Sequence, residues 1–587
     1  MSSRTSSSSI GIFRDACLRR AHVALAYLVI WLVPLLSLLY RGRAMADGGM
    51  EAGGQQLLAL SSVLGVLLTL VASYAAVLRN LNFAFDRVAA PFYGSLPVRR
   101  RPLFHSLFLA SLVPLILANL VLALLLLVLG GMAGIGPMDV LVWFAEQGLM
   151  CITFCGIASL CMVVSGRASV ATILFCMVNG YVVVVQWGVQ QVVSLLAPSV
   201  HNGSSPSLAW ASPAVYLVKS LSAFQNGRVP WLALVAYALV GVACMVVAAE
   251  LSARRDLERA GDAFAFRPVH EVASVLFALA AGLGVSLTVL ALFADSVSGN
   301  PLAVGAVVVA SCALVFCVAE AGVGGGVSAL RRRKAGLVVT VAISVAFAVC
   351  CATDAMGVVR YVPSVDDVKS VSVSNPNLTF ESREGISQVV GLHKSLVAGG
   401  ATNLANGSAT DDSAEYNTVD ITYTLKDGTL ISREYTIDLS SKSLSDTGST
   451  GSAFKAFLQS EAATDATCSM LQRSLVKDTS ATDVSLDYCP SPDATTWHSE
   501  SIAGTDYKAL EAVLEQDVRA HGAYAASYMQ GTYDTALAAS LSVGAVAPGS
   551  NDYQVLTFTL SERYTPKTVE WLKQHCQVSF IKASEAS

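Results

Sequence analysis

Up to about Met356 the chain is written in apolar blocks of 17 residues or more with almost no charge, separated by short segments rich in arginine. Beyond Met356 no apolar block is that long, and apolar positions alternate with polar ones instead. A helix needs about 20 apolar residues to cross the hydrocarbon of a bilayer. The blocks therefore predict nine spans, at about 22–40, 57–78, 106–130, 139–164, 168–196, 230–252, 272–294, 301–322 and 335–356. Ala44-Met45-Ala46 resembles a signal cleavage site, but the apolar core before it is longer than a signal's, so the first block reads as an uncleaved anchor.

The C-terminal stretch has the periods of a folded α+β domain. In Val419–Ile437 (VDITYTLKDGTLISREYTI), Val419, Ile421, Tyr423 and Leu425 alternate with polar residues, the period of a strand. Asp427-Gly428 is a turn signal. A two-residue turn pairs Tyr423 with Ser432, apolar against polar. A three-residue loop, Lys426-Asp427-Gly428 with the glycine left-handed, pairs Tyr423 with Ile431 and Val419 with Tyr435, so a glycine-bulge hairpin is expected. Gln554–Leu560 reads as a further strand, and Phe454–Leu475, Asp506–His521 and Pro566–Cys576 have helical spacing. Gly399–Ser413 reads as a polar loop carrying the Asn406-Gly407-Ser408 sequon.

Composition agrees with a membrane protein: 54% of the 587 residues are hydrophobic and 14% charged, against about a quarter charged in soluble domains. Charge divides where the pattern does. From Asp354 onward 16 Lys and Arg stand against 29 Asp and Glu, a net of −13; the remainder holds 22 against 13, a net of +9. Lysine and arginine also set orientation. With the N-terminus cytoplasmic, the inside segments hold 18 of them and the outside loops four. Nine spans then place the acidic C-terminal domain outside the cell, on a plasma-membrane protein. Of 13 cysteines only Cys468, Cys489 and Cys576 lie in that domain, so at most one pair there can bridge.

The predicted inside segment between spans two and three carries Pro91–Ser106 (PFYGSLPVRRRPLFHS). Positive-inside anchoring alone accounts for Arg99, Arg100 and Arg101. It does not account for Phe83, Phe85, Phe92 and Tyr93, which suggest a short amphipathic element that docks on something. Within the spans, ionisable residues mark pathways for ions or protons. Glu146 lies well inside the fourth span; Glu250 and Glu320 fall near predicted cytoplasmic ends, where water reaches them. Asn119, Asn179, Gln186, Gln190 and Gln191 are uncharged and suit hydrogen bonds between helices, with substrate contact as the second reading.

Several chemistries are missing from the sequence. There is no GxxxxGK[ST], so no P-loop; His270-Glu271 begins like HExxH, but Ser274 replaces the second histidine; and there is no GxSxG. No catalytic constellation, cofactor site or spaced Cys/His zinc cluster emerges, and the expectation is a protein that is not itself an enzyme and has no nucleic-acid partner.

The motifs resemble those of permease subunits of type-2 ABC exporters. Ile10–His22 (IGIFRDACLRRAH) is similar to the basic amphipathic stretch before that family's first span, Leu96–Phe104 (LPVRRRPLF) to a segment of its second loop, and Ser212–Ser220 (SPAVYLVKS) to one before its sixth span. Arg254–Val272 (RRDLERAGDAFAFRPVHEV) resembles a segment of a subgroup with extra spans and an extracellular C-terminal domain of unknown function. The resemblance covers roughly residues 10–272. It implies an amphipathic N-terminal segment (1–21), a six-span core (22–252), three added spans (253–356) and an extracellular domain (357–587). It further implies that the loop with Phe92, Tyr93, Leu96, Pro97, Arg99, Arg100 and Arg101 couples to the ATPase, with Glu146, Asn179 and Gln186 as the intramembrane polar set. The expected partners are a separate P-loop ATPase, a second permease subunit, identical or different, and the lipid bilayer.

Three functions compete on the sequence alone. The first is an exporter permease for a hydrophobic or amphipathic molecule, such as a peptide, drug or lipid-like compound. The second is an outward sensing or binding module that signals to a cytoplasmic ATPase. The third, a secondary transporter, is disfavoured by the scarcity of intramembrane charge.

Overall fold

A backbone amide inside an apolar run has no water to bond, so the run closes its hydrogen bonds within itself as a helix. The computed structural model describes residues 3–47, 53–95, 98–196, 208–222, 229–256, 260–293, 300–324, 333–355, 357, 360–374, 376–399, 416–438, 441–472, 484–491, 497–502, 504–523, 536–546, 553–576 and 578–582. Contacts divide the chain into one unit of residues 1–189, 207–289 and 307–345 and another of 190–206, 290–306 and 346–587.

The helices of the N-terminal part are α1 (Ser3–Arg20), α2 (His22–Asp47), α3 (Gly53–Leu60), α4 (Val66–Leu81), α5 (Ala89–Gly94), α6 (Arg100–Leu129), α7 (Pro137–Val164), α8 (Ala168–Leu196), α9 (Pro213–Ser222), α10 (Trp231–Arg254), α11 (Arg267–Leu292), α12 (Pro301–Gly324) and α13 (Lys334–Ala352). Among the described residues nine helices are long and apolar enough to cross a membrane, and each overlaps a predicted span. The second and third differ most from expectation. A π-helical turn, Ser61–Gly65, precedes α4. α6 begins at Arg100 instead of near residue 106, because Arg99 takes an extended N-cap conformation and Pro102 falls in the first turn, where its missing N–H costs nothing. Two of the three adjacent arginines are therefore helix, not loop.

α7 is the most enclosed of these helices and packs against α4, α6 and α10. Its crossing with α10 depends on Gly156 and Gly241. A Cβ on Gly156 would collide with the Gly241 carbonyl, and one on Gly241 would lie 2.6 Å from the Ile152 carbonyl oxygen. Small residues let such helices touch backbone to backbone, where dispersion is densest.

The second unit contains two four-stranded antiparallel sheets. The first uses β1 (Val368–Val373), β2 (Leu378–Phe380), β3 (Tyr416–Leu425) and β4 (Leu430–Asp438); the second uses β5 (Val484–Tyr488), β6 (His498–Ser501), β7 (Ala536–Val546) and β8 (Tyr553–Ser561). Their strand orders are β2-β1-β3-β4 and β6-β5-β7-β8. One plan is thus used twice. In each, a strand pair leads into a long helix, α14 (Arg383–Ala398) or α18 (Gly504–His521), and a second pair follows. The remaining helices are α15 (Ser441–Ser445), α16 (Thr450–Leu458), α17 (Glu461–Gln472) and α19 (Pro566–His575). A single apolar cluster runs through both lobes, from Val371, Val389 and Ile421 to Leu514, Val543 and Phe558.

The β3–β4 register is the one expected of a three-residue loop: Tyr423 faces Ile431 and Val419 faces Tyr435. Gly428 has φ +85°, a conformation glycine reaches without a Cβ penalty. The helix expected over Phe454–Leu475 is instead two, α16 and α17. Ser460 breaks it: its hydroxyl accepts from the Ala463 amide (3.3 Å) and starts a new helix. No disulfide links Cys468, Cys489 and Cys576. Residues 400–413, with the Asn406 sequon, lie outside the described residues.

Candidate functional site

The arginine-bearing segment is built from three short pieces. The α4 helix runs into a 3-10 turn, Asn82–Phe85, then α5, then the start of α6. α5 is short, and its two aromatics part company. Tyr93 turns inward and stacks on Phe83, ring centroids 4.1 Å apart. Phe92 is 64% exposed, beside Val88 at 83%. Phe83 and Phe85 pack against the helical core. Leu96 and Pro97 lie outside the described residues.

The three arginines have different roles. Arg99 is exposed at the N-cap of α6. Arg100 Nη1 donates to the carbonyls of Arg255 (2.8 Å) and Ala253 (3.4 Å). Arg101 Nη2 meets Glu250 Oε2 at 2.6 Å, on the last turns of α10. Arg100 and Arg101 thus tie the start of α6 to the end of α10.

The centre of this arrangement is Arg255, which sequence reading counted only as a loop charge. It is 5% exposed. Its Nη1 donates to the carbonyls of Met162 (3.1 Å) and Val163 (2.9 Å), at the end of α7, and its Nη2 to that of Ala84 (2.8 Å), in the 3-10 turn. Helix C-termini present carbonyls that lack intrahelical donors and a partial negative charge, so a guanidinium is a suitable cap. Burial lowers its pKa to about 10, which leaves it charged at neutral pH. Arg100, Tyr93, Phe83, Met162 and Arg255 line a cleft of about 70 Å³.

The linker from α10 to α11 completes the assembly. Its residues add a short ladder to the α7–α8 turn: Gly166 N–H donates to Ala263 O (3.0 Å), Gly261 N–H to Gly166 O (2.9 Å) and Ala265 N–H to Val164 O (2.9 Å). Arg167 Nε donates to Gly261 O (2.6 Å), and Arg87 Nε to Ala260 O (3.0 Å). One end of the helical unit is therefore knit together by arginine-to-carbonyl bonds that join the Phe83–Arg101 segment, the end of α7, the end of α10 and the α10–α11 linker.

The intramembrane candidates are placed as follows. Glu146 is fully buried on α7. Asn179 is 4% exposed, and its amide donates to Phe175 O one turn back (2.9 Å). Gln186 Oε1 accepts from the Leu208 amide (3.1 Å). A larger buried network centres on Glu146's neighbour, Gln147. Thr69 Oγ1 donates to Gln147 Oε1 (2.8 Å), the Tyr27 hydroxyl donates to Asn119 Oδ1 (3.0 Å), and Tyr27 lies 3.2 Å from Thr69. Trp31 and Trp143 meet edge to face beside it, centroids 5.4 Å apart. Sequence reading singled out Asn119 but not Tyr27, Thr69 or Gln147. The available signal was a tyrosine and a glutamine in the middle of apolar runs.

Glu320 departs from expectation too. It is 2% exposed, not bathed by water at a helix end, and faces His270 at 3.2 Å. Glu250 is half-buried and paired with Arg101.

In comparisons with known families, curated protein sequences and solved structures, none matches this chain.

Proposed function

We propose that this chain is the membrane-spanning permease subunit of an ATP-driven exporter for a hydrophobic or amphipathic substrate, with the ATPase supplied by a separate cytoplasmic chain. The observation that carries the proposal is α5. It exposes Phe92 and Val88 while Tyr93 and Phe83 fix it to the core, and its neighbours Arg100 and Arg255 lock that core to α7 and α10. Exposed apolar side chains on a rigidly supported element are the anatomy of a partner-binding patch. The surrounding arginines add charge for a partner that binds anionic nucleotide nearby. Among the described residues nine membrane-length helices are available for the pathway. Among the described residues its polar interior holds chiefly uncharged groups, which suits an amphipathic cargo better than an inorganic ion. In this reading the acidic C-terminal lobes lie outside the cell.

The test is ATP-dependent flux. Inside-out vesicles from cells that make the full chain should accumulate a fluorescent amphiphile on ATP addition, and vesicles without the chain should not. Hydrolysis that responds to an outward ligand without any flux would instead support a sensing module. No hydrolysis dependent on the chain at all would remove both.

A further inference from the structure

A carboxylate buried among apolar helices is costly and persists where it has a use. Glu320, on α12, is such a group. Among the described residues its near partners are His270 of α11, whose Nε2 approaches at 3.2 Å but off the direction of a hydrogen bond, and the Ser274 hydroxyl. At the foot of α13, Arg333 places Nη2 2.8 Å from His270 Nδ1 and Nη1 3.3 Å from Glu271 Oε1. A guanidinium only donates, so Nδ1 accepts from Arg333. Among the described residues, buried Glu320 and exposed Glu271 are the carboxylates beside Arg333.

Beside this cluster is a cavity of about 270 Å³ between α8, α11 and α12. Val170, Ile173, Phe277 and Val318 form apolar walls, and Ser274 alone among the described lining residues is polar. Phe264 also lines it and stacks on His270, centroids 4.8 Å apart. The cavity is therefore apolar along its length and, at Ser274, comes beside the buried Glu320 carboxylate.

We propose that this cavity binds a cationic amphiphile, its hydrocarbon body in the apolar part and its ammonium at Ser274 beside Glu320. The commitment to a cation comes from the charge around the polar end. A positive headgroup at Ser274 is attracted to the buried Glu320 carboxylate, a neutral one is not, and a negative one is repelled. This names a substrate class for the exporter reading and rests on that reading only for transport; binding itself needs no ATPase.

The experiment uses the full chain purified in non-ionic detergent, without any ATPase, and a dansyl-labelled alkylamine as the fluorescent probe. Dodecylamine, dodecanol and dodecanoate compete for the site. Dodecylamine should compete about tenfold better than dodecanol, as expected for a charge-assisted contact away from water. Glu320→Gln should remove that preference and leave dodecanol unchanged, and Ser274→Ala should weaken the amine with less risk to folding. Ala273→Trp, which fills the cavity, should weaken both. Equal competition by amine and alcohol, preference for dodecanoate, or an amine affinity indifferent to both Glu320→Gln and Ser274→Ala would each overturn the proposal. Because no ATPase is present, these outcomes are independent of whether the chain couples to one.

Discussion

Arg255 of the helical unit and His393 of the C-terminal unit are both basic side chains buried almost completely, and the two regions accommodate them in opposite ways. Arg255 keeps its charge. A guanidinium does not shed its proton at any ordinary pH, so the fold must supply acceptors, and three backbone carbonyls do so. His393 gives its charge up. Its Nδ1 lies 3.0 Å from the Tyr423 hydroxyl and its Nε2 2.6 Å from that of Tyr435. Burial, with the nearby Arg433 charge as a lesser cause, lowers its pKa to about 4. In the second lobe the positions corresponding to His393, Tyr423 and Tyr435, by helix spacing and strand register, hold Leu514, Val543 and Leu560, all buried. The polar trio is therefore dispensable to the fold plan, whereas Arg255 is the donor to the Met162, Val163 and Ala84 carbonyls.

The largest effect that would break this contrast lies at the helix crossing on which Arg255 depends. Gly241→Val forces a side chain into the Ile152 carbonyl and should cost about 3 kcal/mol or more, read as a fall in the melting temperature of the detergent-purified chain. An unchanged melting temperature would mean that α7 and α10 are not held backbone to backbone. Next, Arg255→Met keeps much of the volume but leaves the Ala84, Met162 and Val163 carbonyls without their donor. About 2–4 kcal/mol of stability should be lost, with protease sensitivity rising first at the α10–α11 linker.

His393 supplies the matching test in the other region. Its folded pKa, about 4, lies below the ordinary histidine value of about 6.5. The unfolded chain therefore binds the extra proton first as pH falls. Stability that is fully present above about pH 6.5 should decline between 6.5 and 4 and level off below, by on the order of 3 kcal/mol in total from this residue. His393→Leu should flatten that part of the profile. An identical slope in the variant would show that the trio is not responsible. Smallest is Arg101→Ala. The Arg101–Glu250 pair is substantially exposed, so about 0–1 kcal/mol is expected, within the scatter of the melting curve.

How much of this was legible in the sequence follows from the range of the forces. The nine membrane-length helices were legible because an uninterrupted apolar run declares itself locally. The Lys426–Gly428 loop was legible because only one register sets Tyr423 against Ile431. The repeat of one strand order in two lobes was not: the strands share period, not residues, and the loops between them differ in length. Nor was the Tyr27–Thr69–Asn119–Gln147 network, whose members come from α2, α4, α6 and α7 and meet only after packing. Arg255 was hidden for a related reason. In a run of basic residues, the buried one is chosen by the carbonyls that converge on it, and those lie 92 and 171 positions away.

The proposal that α5 is where a partner ATPase docks meets its most direct test at Phe92, the exposed aromatic of that element. A photo-crosslinking phenylalanine analogue introduced at position 92 of the full chain, in native membranes, should yield one crosslinked product that contains a P-loop ATPase. The same analogue at Val240, exposed midway along α10, should give no such product. A crosslink of equal yield from both positions, or none to any ATPase from position 92 while the chain is present at its normal level, would contradict the account.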